Sequence, residues 1–505
     1  MMRAGNRLAR GLSWLGPMVA ASLTPGCLPH TPQTNPEPPV GELPESFRQA
    51  AGGEAPLGDS TLASPDRWWI AFEDPELTAL IDRAMARNFD MRAAWARLDQ
   101  AEAVAEGASA DFWPQVSLSL DVSRRRQVAV FGALGTQEFE FNNFGLSVPV
   151  TYELDVWNRI GAQVAAAGLD VLASRDDVEA LAITVAANVT ERFLDVLFQR
   201  AARQLLTEQL DANQVQEELL VLRFGLGLGT TLDIYQQRQQ VEAVEAQLAT
   251  IDAQEAVARQ QLAVLVGEMP GTFAERIGRL DEPSRLPRFP ALPATGIPSM
   301  LLARRPDVRA AQRRAAAADW RLGSAIAAQF PAFRFDGSFG LNSPTLEGFV
   351  SSFVFSVAAG ILTPVLDGGR LAAEARRNRA LVQERLQQFA QTLLTAILEV
   401  ENALALERQQ LVNITNLEDQ LDNARAQLRE SRRRYAEGLS DYLPVITALV
   451  TVQSVEQSLL TARREALSQR VQLVRALGGA WTAELEAPAF DEAPQDVARG
   501  EEEEP

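Results

Sequence analysis

Few residues in this 505-residue chain have the types and spacing that reactive chemistry needs. One cysteine and one histidine occur, Cys27 and His30, three positions apart in a proline-rich segment. A structural zinc site takes four ligands, mostly Cys and His, and nucleophilic catalysis needs a thiol or hydroxyl held against a base. Those sets are incomplete here. No intrachain disulfide can form, and no catalytic residue, metal ligand or bound cofactor is expected. All 47 basic residues are arginine, against 66 acidic ones, for a net charge of −19. That balance excludes a general nucleic-acid binder, because phosphate backbones are held by positive surfaces. The last fifteen residues carry seven acids and one arginine, so 487–505 reads as an acidic disordered tail.

Cys27 does have a chemical context. Arg3, Arg7 and Arg10 precede an apolar run from Gly11 to Leu23, and small residues lead to the cysteine. This pattern resembles a secretory signal over 1–26 with a lipoprotein cleavage site, after which Cys27 is the N-terminus and carries acyl chains. A covalent lipid there is the one attached group expected; stable anchoring takes more than one chain, at about 0.8 kcal/mol per buried CH₂. Leu28 follows the cysteine where Asp is absent, which favours the outer membrane in such lipoproteins. Residues 27–65 read as a proline-rich leader. No run of 18 apolar residues occurs, so a membrane role rests on lipid or on β-strands.

The elements that position these residues come in two tandem copies. Arg223-Phe224-x-x-Gly227-Leu228 returns as Arg434-Tyr435-x-x-Gly438-Leu439, and Leu265-Val266-Gly267 returns as Ala476-Leu477-Gly478, both at an offset of 211. Phe112-Trp113-Pro114 matches Phe330-Pro331 at an offset near 217. Each copy reads as helix, two strands, long helix, glycine-containing turn, second long helix. The first spans 66–269, with a helix from the Asp74-Pro75 start to about Ala110, strands near 112–123 and 138–151, and helices over 160–224 and 230–266. A proline-rich connector covers 270–298. The second copy spans 299–486, with a helix from Pro306-Asp307 to about Gln329, strands near 330–341 and 349–362, and helices over 371–434 and 445–477. Stepping by seven from Leu386 gives Leu393, Val400, Glu407, Ile414, Leu421 and Leu428, so only Glu407 breaks a coiled-coil stripe.

The strands alternate. Val116, Leu118, Leu120 and Val122 interleave with Ser117, Ser119, Asp121 and Ser123, while Phe333, Phe335, Phe339 and Leu341 interleave with Arg334, Asp336, Ser338 and Asn342. One face is oily and the other polar, as in a transmembrane barrel with lipid outside and water inside. Four strands cannot close a barrel, and an open edge in lipid leaves backbone groups unsatisfied. Several chains must share one wall: two give eight strands and no useful lumen, three give twelve strands around water. The fold expected is mainly α, with four strands per chain contributed to a shared 12-stranded outer-membrane β-barrel in a homotrimer.

Arg67-Trp68-Trp69-Ile70-Ala71-Phe72-Glu73-Asp74-Pro75-Glu76-Leu77, the helix with Asn88-Phe89-Asp90-Met91-Arg92-x-Ala94-x-Ala96-Arg97, Leu302-Ala303-Arg304-Arg305-Pro306-Asp307-Val308-Arg309 and Phe330-Pro331 follow in an order specific to one family. Over about residues 60–485 the chain resembles the TolC-like outer-membrane efflux proteins, in the lipoprotein branch that serves resistance-nodulation-division pumps. The resemblance implies a trimeric α-barrel of coiled-coil helices beyond the β-barrel, reaching through the periplasm. It implies a periplasmic adaptor (membrane fusion) protein and an inner-membrane pump as partners, with no chemical change of the solute. It places the adaptor contact at the helix turns, here Arg223, Gly227 and Leu228 with Arg434, Gly438, Leu439 and Ser440. A closing gate of leucine and acidic rings falls at the same end; Leu443 fits the leucine position, and Asp233 and Asp441 are left to form the acidic ring in place of the usual residue. The acidic position that relatives place after the leucine is missing, since Val445-Ile446-Thr447-Ala448 stands there. Rival readings are a secretion channel for polypeptides and a periplasmic coiled-coil scaffold without a pore.

Overall fold

The computed structural model of the protein describes residues 28–49, 67–130, 136–271, 286–293, 297–479 and 481–487. The signal segment, Cys27 and the acidic tail from 488 lie outside these. In chain order the helices are α1 (Pro75–Arg87), α2 (Phe89–Ala110), α3 (Arg159–Gly225), α4 (Thr231–Leu265), α5 (Leu301–Arg304), α6 (Pro306–Ala327), α7 (Arg370–Ala436) and α8 (Leu443–Leu477). The strands are β1 (Gln115–Val116), β2 (Ser119–Val130), β3 (Thr136–Leu154), β4 (Ala332–Ser343) and β5 (Phe353–Leu362).

The tandem copies match in length as well as order. α3 and α7 each have 67 residues, and α4 and α8 each have 35. At 1.5 Å per residue the longer pair run about 100 Å. Both short helices α2 and α6 have 22 residues. The first copy differs from expectation at Asn88, where one amphipathic helix was read and two are found. Asn88 ends α1 with extended backbone, its side-chain oxygen accepts from the Met91 amide (3.0 Å), and its Nδ2 donates to the Leu265 carbonyl (2.8 Å). The same place in the second copy is held by Arg305, whose Nη1 donates to the Ala476 carbonyl (3.1 Å). Residues 88 and 305 differ by 217, and 265 and 476 by 211, the two offsets read from the sequence.

Contacts divide the chain into two compact units, one of residues 1–37, 100–172 and 312–387 and one of 38–99, 173–311 and 388–505. The first holds the sheet, an antiparallel set in which β2 and β1 pair with β3, β3 with β4, and β4 with β5. β1 and β2 follow one another along the same side of β3 with a break at 117–118, so four strand paths are present. β2 runs to Val130 and β3 from Thr136, longer than the 112–123 and 138–151 expected. Alternation stops at Arg124, Arg125 and Arg126, which is why the sequence hid the extension. β5 starts at Phe353 rather than 349, because Ser343 to Ser352 form a turn in which the Ser343 hydroxyl accepts from the Thr345 amide (3.2 Å). Leader residues also join this unit: Asp319 of α6 meets His30 Nε2 (2.9 Å) and accepts from the Gln33 amide (2.7 Å).

The second unit packs on the coiled-coil stripe. Phe389, Leu393, Ala396 and Val400 of α7 are buried with Leu473, Ala476 and Leu477 of α8, Val308 of α6 and Phe47 of the leader. Glu407, the exception in the heptad count, is buried too. Arg470 of α8 makes a bidentate pair with it (2.7 and 2.8 Å), stacks on the Phe289 ring of the connector at 4.4 Å and donates to the Pro290 carbonyl. One buried ion pair therefore fastens two long helices and the proline-rich connector together. Windows in α7 and α8 reach mean hydropathy 1.2 and 1.3, apolar enough by composition to cross a membrane. Their apolar side chains, such as Phe389 and Val400 or Val445 and Leu449, are the ones buried against neighbouring helices.

Candidate functional site

Two regions carry the features that function would use: the sheet faces and the paired helix turns. In the sheet, directly paired residues share a face, so the register fixes what each side presents. Val122 pairs Phe144, Leu120 pairs Leu146, Val148 pairs Phe339, Leu146 pairs Leu341, Phe339 pairs Phe355 and Leu341 pairs Phe353. This side is a continuous oily surface, with Leu120, Val122, Phe353, Phe355, Val357 and Ile361 all exposed. The other side is polar: Ser119 and Ser147 hydroxyls bond across strands (2.6 Å), as do those of Ser338 and Ser356 (2.7 Å), with Asp121, Asn143, Asp336 and Asn342 in the same set. An exposed apolar face of this extent on one side of a sheet is a surface for lipid.

At the turns the two copies repeat one geometry. The Leu228 amide donates to the Arg223 carbonyl and the Leu439 amide to the Arg434 carbonyl, both at 2.9 Å, with Gly227 and Gly438 at φ +75° and +72°. This six-to-one closure needs a left-handed residue, which glycine supplies without a Cβ penalty. The turns present exposed leucines, Leu228 at 61% and Leu439 at 72%, and Leu443 is also exposed. Asp233 is committed to a capping box: its carboxylate accepts from the Thr230 amide (3.0 Å) and its own amide donates to the Thr230 hydroxyl (3.3 Å). Asp441 is exposed in the second turn.

Beneath these residues lies a chain of contacts that the sequence reading missed. The Tyr442 hydroxyl donates to Gln237 Oε1 (2.7 Å), and Gln237 Nε2 donates to the Asn213 carbonyl (2.8 Å) and side-chain oxygen (3.1 Å). Tyr442, Gln237 and Asn213 are fully buried. Tyr435 meets Tyr442 edge to face at 5.4 Å, and the Arg223 guanidinium lies 4.5 Å over the Tyr435 ring. The start of α8 is thereby tied to α4 and α3, and the end of α7 to the end of α3. Burial first, and then Tyr435, push the Tyr442 hydroxyl well above the usual tyrosine range; burial, with Asp233 adding, also raises Tyr435. A signal existed: of four tyrosines in the chain, Tyr235, Tyr435 and Tyr442 fall at the turns.

Arg304-Arg305-Pro306-Asp307 also resolves into structure. Arg305 bonds Asp307 (2.7 Å) and Glu399 (2.6 Å), and Arg309 bonds the buried Asp176 (2.9 Å) and Glu179 (2.5 Å). Trp68, Trp69 and Phe72 of the tryptophan motif are core, and Trp69 packs edge to face on Trp481 at 4.9 Å. Among the described residues no cluster of His, Cys, Asp and Glu has the makings of a metal site.

The outer membrane efflux protein family model matches residues 80–268 and 297–479, one match on each tandem copy. The chain belongs to that family. Within it, the pyoverdine export outer membrane protein OpmQ of Pseudomonas putida is 30% identical over 449 residues, covering 86% of this chain and 92% of its own. Nodulation protein T of Rhizobium leguminosarum bv. trifolii is 27% identical, covering 85% and 90%. The outer-membrane channel OprN superposes with a TM-score of 0.79 at 25% identity over 88% of this chain and 99% of its own. The chain is thus an outer-membrane efflux channel protein with a TolC-like fold. Efflux components of this family work with pump and adaptor partners, and the family is one of channels and not of enzymes.

Proposed function

We infer that three copies of this chain pool their sheets into one 12-stranded barrel and serve as the passive exit duct of a tripartite efflux system. Drugs or other small molecules would enter from an inner-membrane pump of the resistance-nodulation-division type through a periplasmic adaptor, and leave unchanged. The observation that carries the reading is the sheet. It has one apolar and one polar face, and the outer edges of β2 and β5 have no partner strand among the described residues. In lipid such edges leave a row of unsatisfied amides and carbonyls, each costing several kcal/mol, so the sheet is completed by other copies. Selectivity at this component then comes from pore width and the charge of the lumen.

The paired turns are the adaptor-facing end, through Arg223, Gly227, Leu228, Arg434, Gly438, Leu439 and Ser440, and their exposed leucines suit the apolar stripe of a partner helix. Leu443, Asp441 and Asp233 narrow the lumen there, and the tyrosine chain latches it. Cys27 carries the lipid, and the leader that follows it is held to Asp319 through His30 and the Gln33 amide. Reconstitution in planar bilayers tests the duct. Discrete conductance steps are expected, with Asp441→Ala and Leu443→Ala raising conductance or altering cation preference; a protein that inserts but never conducts overturns it. Cys27→Ser should abolish acyl labelling, and labelling that persists removes the anchor.

A further inference from the structure

We propose that the β2–β3 hairpin carries a binding site for phosphate-bearing lipid head groups of the outer leaflet, built from Arg124 and Arg126 with Glu138 and Glu140. The argument rests on the membrane reading of the sheet and on its register. β2 pairs β3 from Ser119↔Ser147 to Val130↔Thr136, whereas β4 joins β3 only from Phe144 onward. The hairpin therefore continues as a two-stranded ribbon past the four-stranded wall. Its last pair, Val130↔Thr136, lies at the end of the strands opposite to the junctions with α2 and α3, which puts the ribbon on the exterior side.

On the lipid-facing side the paired residues read Leu120↔Leu146, Val122↔Phe144, Arg124↔Asn142, Arg126↔Glu140 and Val128↔Glu138. From Tyr152 to Phe144 along β3 the apolar face covers eight residue steps, about 27 Å along a strand and roughly 20 Å vertically at the usual tilt, close to the height of a barrel's apolar band. Arg124 comes about 7 Å beyond the last apolar pair and Arg126 about 7 Å further. Two guanidinium groups thus project from the oily side at the depth where apolar wall gives way to head groups. Arg125 pairs Phe141 and belongs to the opposite face.

The two cations are held by cross-strand partners, Arg124 by Glu140 and Arg126 by Glu138. Both arginines are about two-thirds exposed (68% and 66%), and exposed pairs of this kind contribute little and exchange partners readily. A guanidinium has five donors in a planar fork suited to phosphate oxygens, so a head group is added to the pair or displaces one carboxylate. The carboxylates also offer ligands to divalent cations that accompany phosphates.

The test uses the full-length protein in detergent, with native mass spectrometry of binding to diphosphorylated lipid A, its dephosphorylated form, phosphatidylglycerol and inorganic phosphate. Single variants Arg124→Gln and Arg126→Gln should each lower affinity for the diphosphorylated lipid about tenfold, and Arg125→Gln, with the same charge change on the other face, should leave it within twofold. Binding by phosphatidylglycerol as well, weakened by the same two variants, supports a general head-group site; binding by free phosphate alone overturns the lipid assignment. Equal loss in all three variants, no loss in any, or equal binding of the dephosphorylated lipid overturns the proposal. Far-ultraviolet circular dichroism and retained conductance of each variant show that the fold and the channel reading stand apart from this result.

Discussion

Replacing Tyr442 by Phe removes one hydroxyl from the helix turns and keeps the ring that packs against Tyr435. In the native structure that hydroxyl is the donor to Gln237 Oε1 at 2.7 Å, and both residues are fully buried. The variant leaves a buried amide oxygen without its donor, a loss of about 1–3 kcal/mol. If the bond is made only while α8 stays beside α4, the loss falls entirely on the closed arrangement of the tip. A shift of that size multiplies the open-to-closed ratio by about 5 to 150. Planar-bilayer recording reads the ratio directly as the fraction of time in the conducting state, and Tyr442→Phe should raise it by a factor in that range. A variant that melts earlier but opens within twofold of the native protein would refute the latch and leave Tyr442 a packing residue.

Glu407 and Arg470 allow a second check, on the trunk. Arg470→Ala strands a buried carboxylate and should destabilise by about 3–5 kcal/mol, while the double change to leucines should be neutral or stabilising; denaturant unfolding followed by circular dichroism separates the two. Gly478→Ala should cost more than about 1 kcal/mol, since a Cβ at φ +74° would stand 2.8 Å from the Arg304 carbonyl oxygen; its unfolding midpoint measures this, and no change would mean that the α8 end relaxes freely. The raised values of Tyr435 and Tyr442 give a pH dependence with a definite sign. Their contribution is complete below the unfolded tyrosine value near 10 and is lost as pH rises towards the folded values, so the turns should loosen in strong alkali. Tyrosinate absorbance should show two late-titrating groups, one of which disappears in Tyr442→Phe.

Much of the architecture was legible because its signals are local or periodic. The heptad stripe through Leu393 and Val400, the glycines at 227 and 438, and the Asp74-Pro75 start are each read within a few residues, and the repeat supplied the second copy of every element. What escaped depends on distant partners. Glu407 looked like a flaw in the stripe because Arg470 is 63 residues away. The Tyr442–Gln237 hydrogen bond joins residues 205 apart, so nothing in the neighbourhood of Tyr442 announced Gln237. Asn88 was read as part of a continuous helix because its capping role depends on Leu265, far along the chain. The strand ends were misjudged for a physical reason of another kind: alternation reports the part of a strand that touches lipid, and the ribbon beyond Val122 leaves it.

A sheet with two open edges in lipid must be completed by other copies of the chain. Native mass spectrometry of the detergent-extracted protein, with circular dichroism on the same sample, tests this most directly. A species of three chains that retains its β signal is the result predicted. A monodisperse single chain, folded and stable after the detergent is removed, would contradict it.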